Sequence, residues 1–226
     1  MSERRVWRRG LAVAALLAAA SPAMADPRYR LALDLDPAAG RIGVDVRMAG
    51  LACTDGRVRL WLNRGLTIAR AEVDRRAVTP PPPVDAGKFW LSSAAAIDLP
   101  CPRRDARLVY MGPGTLHPDG RNQVSPRLVE LSLYGGWYPL QRIDQRTLWR
   151  LTTRLPRDWR LATPGRVTRS GTALAITARR ASDIVLLAAP GLAETPASPA
   201  TARVLIDADA APAERATAAT LGREAA

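Results

Sequence analysis

Histidine occurs once in the 226 residues, as His117, and that count limits the chemistry open to this sequence. A catalytic zinc usually takes three protein ligands, commonly two histidines one helical turn apart with a general-base glutamate between them. One histidine cannot build HExxH. His117 also sits between Leu116 and Pro118, ahead of Asp119 and Gly120, in a turn rather than on a helix. A serine-hydrolase triad would need the same imidazole beside a nucleophile on a sharp turn, and GxSxG does not occur. Lys88 follows Gly87 but precedes Phe89, so the glycine spacing and the Ser or Thr of a phosphate loop are missing. Aspartates and glutamates are scattered, and no pair is singled out to flank a sugar. The sequence therefore reads as having no catalytic residues, no metal ligands and no cofactor of its own.

The most informative segment is Glu130 to Pro139, ELSLYGGWYP. Tyr134, Trp137 and Tyr138 fall within five residues around the Gly135, Gly136 pair, which lets the backbone bend closely. Such rings either form a corner of the core or line a groove for a peptide or glycan. Glu130, Tyr134, Trp137 and Tyr138 are the candidate binding residues. Cys53 and Cys101 are the only cysteines. In an oxidising compartment an even count invites one disulfide; two buried thiols are the alternative, since pairing needs alpha carbons within about 7 Å.

Stepping along the chain, short strands are the recurrent element. Tyr29, Leu31, Leu33 and Leu35 alternate with Arg30, Asp34 and Asp36; after the turn Pro37 to Gly40, Ile42, Val44, Val46 and Met48 alternate with Arg41, Asp45 and Arg47. The pair reads as an antiparallel hairpin. Further strands are expected at Val58–Leu62, Thr67–Val73, Lys88–Leu91, Arg107–Tyr110, Leu128–Tyr134, Thr147–Leu155 and Ala173–Thr177. Ile184–Ala188 is continuously apolar and so central. Pro80 to Pro83 must be a loop. No internal repeat occurs, and no helical period is convincing before about residue 200. The fold class is all-β: a large antiparallel sheet or β-sandwich, with a short C-terminal strand–helix extension. Residues 26–192 form the β domain. Residues 193–226 read as a linker followed by the truncated start of another domain, or by a tail.

Residues 1–25 read as an export signal. Arg4, Arg5, Arg8 and Arg9 precede an apolar run from Leu11 to Ala20, and Ala23, Met24, Ala25 supply a small-residue cleavage site. A run of ten is about half of what a bilayer core demands, so no membrane anchor is expected after cleavage. Either a Sec or a twin-arginine route fits. The expected location is periplasmic or secreted. Removing the signal takes away four arginines and one glutamate and leaves +9 of the formal +12. The arginines are spread along the chain, Lys88 is the single lysine, and no helix carries a basic stripe. They read as solvated strand faces and loops. Nucleic acid is disfavoured as a partner, and non-specific adhesion to anionic polymers or lipid headgroups is a consequence of the charge.

The order of several motifs resembles the N-terminal domain of the aminopeptidase N family of zinc metallopeptidases. The motifs are Gly136 to Pro139 (GWYP), Thr147 to Leu155 (TLWRLTTRL), Pro156 with Trp159, the turn Pro164, Gly165, the strand Ser182 to Leu192 (SDIVLLAAPGL), and the opening hairpin Tyr29 to Met48. The similarity spans residues 28–192. It implies a saddle-shaped β domain packed on a thermolysin-like catalytic domain carrying GxMEN, HExxH and zinc. None of those motifs occurs in this sequence, so the implied partner is a catalytic domain in another chain or in a missing part of this one, and zinc is implied only there. Arg203 to Ala226 resembles the linker strand and first helix of that domain. The family's N-terminal domain also supplies a Gln or Glu that helps hold the substrate's free amino group, for which Glu130 is the nearest acidic candidate. The chain departs from the family where Leu140, Gln141 and Arg142 follow Pro139 in place of Cys and Asp. The resemblance implies a non-catalytic domain that braces the enzyme or positions substrate. The residues alone leave open an independent exported module for glycan or peptide.

Mass spectrometry of the exported protein is expected to find an N-terminus at Asp26; a mature chain that retains residues 1–25 overturns the cleavage reading.

Overall fold

The computed structural model describes residues 26–79, 82, 84–85, 93–120, 122–195, 204–207 and 211–213. The export signal, the expected strand Lys88–Leu91, most of the proline run and residues 214–226 of the expected helix lie outside the described residues.

The chain forms β1 (Arg28–Asp36), β2 (Arg41–Ala49), β3 (Arg57–Asn63), β4 (Thr67–Val73), β5 (Arg76–Ala77), β6 (Val84–Asp85), β7 (Ala94–Pro100) and β8 (Ala106–Pro113). After these come β9 (Val129–Leu131), a single 3-10 turn (Leu133–Gly135), β10 (Thr147–Arg154), β11 (Trp159–Ala162), β12 (Arg166–Ser170) and β13 (Ala173–Ala181). β14 (Leu186–Pro190), β15 (Leu192–Thr195) and β16 (Val204–Asp207) complete the series. The structure is predominantly β, as the alternation predicts. β1 and β2 pair through nine residues each, with the turn at 37–40 where it is expected.

Eight strands form one sheet in the order β12-β13-β10-β1-β2-β8-β4-β5. The sheet is mixed rather than purely antiparallel, because β10 lies parallel to β1, Arg28 opposite Leu148 through Ala32 opposite Thr152. Parallel neighbours need a long connection, and here everything from β2 to β10 supplies it. Two three-stranded sheets, β11-β14-β9 and β3-β7-β6, turn their apolar sides to the same face of the large sheet. One cluster of buried side chains joins them: Tyr29, Leu31, Val46, Met48, Leu108, Trp149, Leu151 and Ile176 from the large sheet, and Val58, Leu60, Leu99, Leu131 and Leu186 from the small ones. Each such side chain contributes about 1.5–3 kcal/mol when fully buried. β14 is central in its sheet, as the apolar run predicts, although it begins at Leu186 rather than Ile184.

Six of the described strands fall outside those the sequence predicts: β5, β6, β7, β11, β12 and β15. β7 carries Ala94, Ala95 and Ala96, weak strand formers that are all buried, with Ala94 in the shared core. β11 has four residues, and β12 is exposed along its whole length. The expected strand Leu128–Tyr134 is cut to Val129–Leu131 because the chain turns sharply after Ser132. β15 pairs antiparallel with β16 across the segment read as a linker. No helix among the described residues is long and apolar enough to cross a membrane.

Cys53 and Cys101 are joined in a disulfide with alpha carbons 5.7 Å apart. It ties the segment after β2 to the end of β7 and so fastens a small sheet to the large one. The closed loop spans a sequence separation of 48 residues. Reduction is expected to lower unfolding stability by about 2–4 kcal/mol, read as a shift in denaturant midpoint. Two thiols titrating in the unfolded, unreduced protein would refute the bridge.

Candidate functional site

The ELSLYGGWYP segment forms a corner that carries the chain from β9 toward β10. After the 3-10 turn, Gly136 takes the left-handed conformation at φ 60°, which favours glycine. Gly135 is packed so tightly that an added Cβ would lie 2.6 Å from the Asn122 side chain. The pair is therefore fixed by close approach as well as by the bend.

Three polar side chains pin this corner from inside. Asn63 Nδ2 donates to the carbonyls of Leu116 and Gly135, at 2.7 and 2.8 Å, while its Oδ1 accepts from Gly65 N–H at 2.8 Å. Asn122 Oδ1 accepts from Ser132 N–H at 2.6 Å and from Ser132 Oγ at 3.0 Å. Asp183 accepts from Leu133 N–H at 3.0 Å and from the Tyr138 hydroxyl at 2.8 Å. Burial pushes the Asp183 carboxyl above its usual range, against the hydrogen bonds from Leu133 and Tyr138 that favour its charged form.

Two of the four candidate residues are core residues and not contacts. Trp137 is 0% exposed and Tyr138 1%. Both spend their polar atoms internally: Trp137 Nε1 donates to the Ile184 carbonyl at 3.2 Å, and the Tyr138 hydroxyl donates to Asp183. Their rings meet edge to face at 5.2 Å, and Tyr138 meets Tyr29 in the same way at 6.3 Å. Tyr110 donates its hydroxyl to the Trp137 carbonyl at 2.9 Å. A groove-lining role for Trp137 or Tyr138 is thus corrected to a packing role, because no surface of either reaches solvent. Tyr134 lies at the tip of the corner and is 63% exposed. Glu130 sits half-buried on β9 between the buried Val129 and Leu131, opposite Leu187 of β14, so its side chain is directed away from the core.

His117 lies in a loop with Nδ1 2.6 Å from Asp119 Oδ1. One imidazole beside one carboxylate falls short of the three ligands a catalytic zinc takes, and both cysteine sulfurs are used in the disulfide. Zinc does not fit the described residues, among which no group of three or more His, Cys, Asp or Glu could hold a metal ion.

The sheet arrangement and its aromatic corner define a multi-sheet β domain. Comparison with solved structures identifies the fold. The M1 zinc metallopeptidase from Deinococcus radiodurans matches at a TM-score of 0.52 and 18% identity, over 80% of this chain and 46% of that one. An aminopeptidase N family protein from Idiomarina loihiensis matches at 0.56 and 12% identity, over 87% of this chain and 35% of that one. Yeast LTA4 hydrolase in complex with bestatin matches at 0.55 and 11%, over 76% and 29%. The chain has a fold found in M1 aminopeptidase structures and spans about half their length or less. No family model matches the sequence. No curated protein sequence matches it either.

Sequence reasoning did not single out Asn63, Asn122 or Asp183 as site residues. Asn63 lies between Leu62 and Arg64, Asn122 between Arg121 and Gln123, and Asp183 between Ser182 and Ile184, and nothing in these settings marks an internal hydrogen-bonding role.

Asp183 carries a pH prediction. Its carboxyl is raised in the fold, so the unfolded chain ionises first as pH rises, and stability is lost until the folded value is passed. Asp183→Asn retains acceptors and removes the ionisation. Its stability relative to the parent is expected to rise as pH increases from about 3.9, where the unfolded carboxyl ionises, and to level off above the folded value, followed by urea unfolding. A difference that stays flat or falls with pH would show that the fold prefers the carboxylate.

Proposed function

We propose that this chain is the exported, non-catalytic N-terminal β domain of an aminopeptidase-like zinc metallopeptidase, bracing the enzyme or positioning substrate for a catalytic domain that is not among these 226 residues. The observation that carries the reading is the asymmetry of the fold match, which takes in 80% of this chain but 46% of the Deinococcus metallopeptidase. The rest of the larger chain has no counterpart here. A single imidazole in the whole sequence supports the same assignment, since a zinc peptidase site would have to be supplied from elsewhere.

On this reading the domain works by shape and burial. The polar pins hold the glycine corner rigid, and the corner presents Tyr134 to whatever packs on it. Glu130, a half-buried carboxylate pointing out of a short strand, is the residue proposed to meet a substrate's free amino group. It would add binding without adding a nucleophile. Periplasmic or secreted location is proposed from the signal sequence alone.

The test uses the mature chain as purified. With zinc present it is expected to show no aminoacyl-anilide hydrolysis and to lose its metal on dialysis. Stoichiometric zinc together with turnover that disappears in Glu130→Ala would overturn the non-catalytic reading.

A further inference from the structure

The outer face of the eight-stranded sheet, opposite the core, carries an arrangement that folding does not require. Elsewhere in the protein, charged residues facing each other across strands have opposite signs. Arg59 lies opposite Asp98 and binds it through two hydrogen bonds of 2.8 and 2.7 Å, and Asp36 lies opposite Arg41. One row across the large sheet breaks this rule. Arg150 of β10 lies opposite Arg30 of β1, Arg30 opposite Arg47 of β2, and Arg47 opposite Arg107 of β8. In the other direction Arg150 neighbours Thr177 of β13, which neighbours Arg166 of β12. With strands about 4.8 Å apart, the row from Arg166 to Arg107 runs roughly 24 Å across the sheet.

Like charges directly opposite on a sheet destabilise it. The β8 end of the row is compensated most directly, and the Asp45 carboxylate there also acts on Arg47. Arg107 binds Asp45 through two hydrogen bonds of 2.9 and 2.6 Å and lies 3.6 Å from Glu72, which also pairs with Arg70. Arg30, Arg47, Arg150 and Arg166 form no ion pair among the described residues.

Beside the row lies an open trough. Arg30, Arg47, Arg107 and Arg150 edge a concavity of about 520 Å3 that also touches Ala32, Asp45 and Thr152. It adjoins a second of about 650 Å3 lined by the small residues Ala32, Gly43, Thr152 and Ala175, with the carboxylates Asp34 and Asp45 also on its wall. The registers place Thr168, Ala175, Thr152, Ala32, Asp45 and Val109 in the row next to the arginines, so the trough runs alongside them, across the strands.

We infer that this face binds a linear anionic polysaccharide, its acid groups on the arginine row and its sugar rings against the small-residue floor. Guanidinium forks match carboxylate and sulfate groups bidentately, and the floor leaves room for the apolar faces of rings. Other polyanions fit less well. Nucleic acid without base pairing needs aromatic stacking platforms, and neither row contains an aromatic ring. A flat bilayer would meet the rims of a concave face before reaching its centre. An acidic peptide gains most by adding a strand, and the backbone groups in mid-sheet are already used in the ladder. The inference does not depend on a catalytic partner, because the face lies on the far side of the sheet from the Glu130–Tyr134 corner.

The test uses oligogalacturonate as probe, its methyl ester as the uncharged control, and the mature chain. Binding is expected to weaken steeply between about 50 and 200 mM salt, as ion release from a polyanion requires. Replacing the row (Arg30→Gln, Arg47→Gln, Arg150→Gln) is expected to lower affinity about tenfold or more and to leave the melting temperature unchanged or raised. A control with the same change in net charge but elsewhere on the surface (Arg103→Gln, Arg104→Gln, Arg127→Gln) is expected to retain affinity within about twofold. Equal losses in both variants would reduce the effect to net charge and overturn the site. Absence of binding at low salt would overturn it too, as would tighter binding to a single-stranded oligonucleotide or to anionic vesicles than to the oligogalacturonate. Failure here with the peptidase reading intact, or the reverse, is distinguishable because the two assays share no residue.

Discussion

The parallel pairing of β1 with β10 is the contact on which the rest of the molecule depends. It joins residues about 120 positions apart in sequence and closes the centre of the eight-stranded sheet. Without it β12-β13-β10 would part from β1-β2-β8-β4-β5. The pairing sets Tyr29 beside Trp149 and Leu31 beside Leu151, while β2 sets Met48 and Val46 on their other side. These side chains form one layer of the core. Side chains alternate with a period of two, so a slip of one residue would drive Arg150 inward and Trp149 out. Contacts of such sequence separation form late and slowly, which makes the opening hairpin, complete within 22 residues from Arg28 to Ala49, the natural early structure.

The glycine corner solves the geometric problem this pairing creates. The chain must leave the small sheet at β9 and arrive beside β1, and it does so in a short bend whose backbone groups face the interior. Buried backbone polar groups need partners. Asn63 and Asp183 supply them at Gly135 and Leu133, and Asn122 at Ser132. Further ties come from the paired backbone hydrogen bonds between Trp61 and Leu140 and from Asn63 N–H to the Gly136 carbonyl. An uncharged Asn at 183 would offer similar acceptors. Burial resists ionisation of the Asp183 carboxyl, as it does of the Tyr138 hydroxyl bonded to it.

How much of this was legible follows from what each feature asks of the sequence. β1, β2 and β10 were readable because a half-buried strand writes its burial as alternation, as in Tyr29, Leu31, Leu33 against Arg30 and Asp34. The motif order also carried the aminopeptidase-type fold, since hairpin, aromatic corner and closing strand occur in sequence at recognisable spacing. β7 was hidden because alanine has little strand preference and is buried only by the position the sheets give it. β12 was hidden because nothing about it is buried. The corner itself was marked by its residues, but whether Trp137 and Tyr138 faced in or out depended on partners 47 and 45 positions away, at Ile184 and Asp183. No local pattern encodes such pairs. The arginine row is of the same kind: Arg30, Arg47, Arg107 and Arg150 read singly as solvated strand residues, and only the register brings them together.

That register ties the two faces of the sheet to each other. Once Tyr29 and Leu31 are aligned with Trp149 and Leu151 on the core side, the residues between them, Arg30 and Arg150, must align on the other. Core packing therefore dictates that some row exists at this height, and says nothing about its chemistry. Threonine would satisfy a solvated strand position with better strand propensity and no repulsion, and Thr152 and Thr177 do so in the same strands. Charge alone does not explain the arginines, because solubility needs no particular alignment and the chain already carries positive charge along its length. What four arginines in register add, beyond any four on the surface, is a line of forks at fixed spacing on a rigid support. A feature that costs the sheet a little and gains it nothing in packing belongs to recognition, and here the support that makes it rigid is the same central pairing that holds the core.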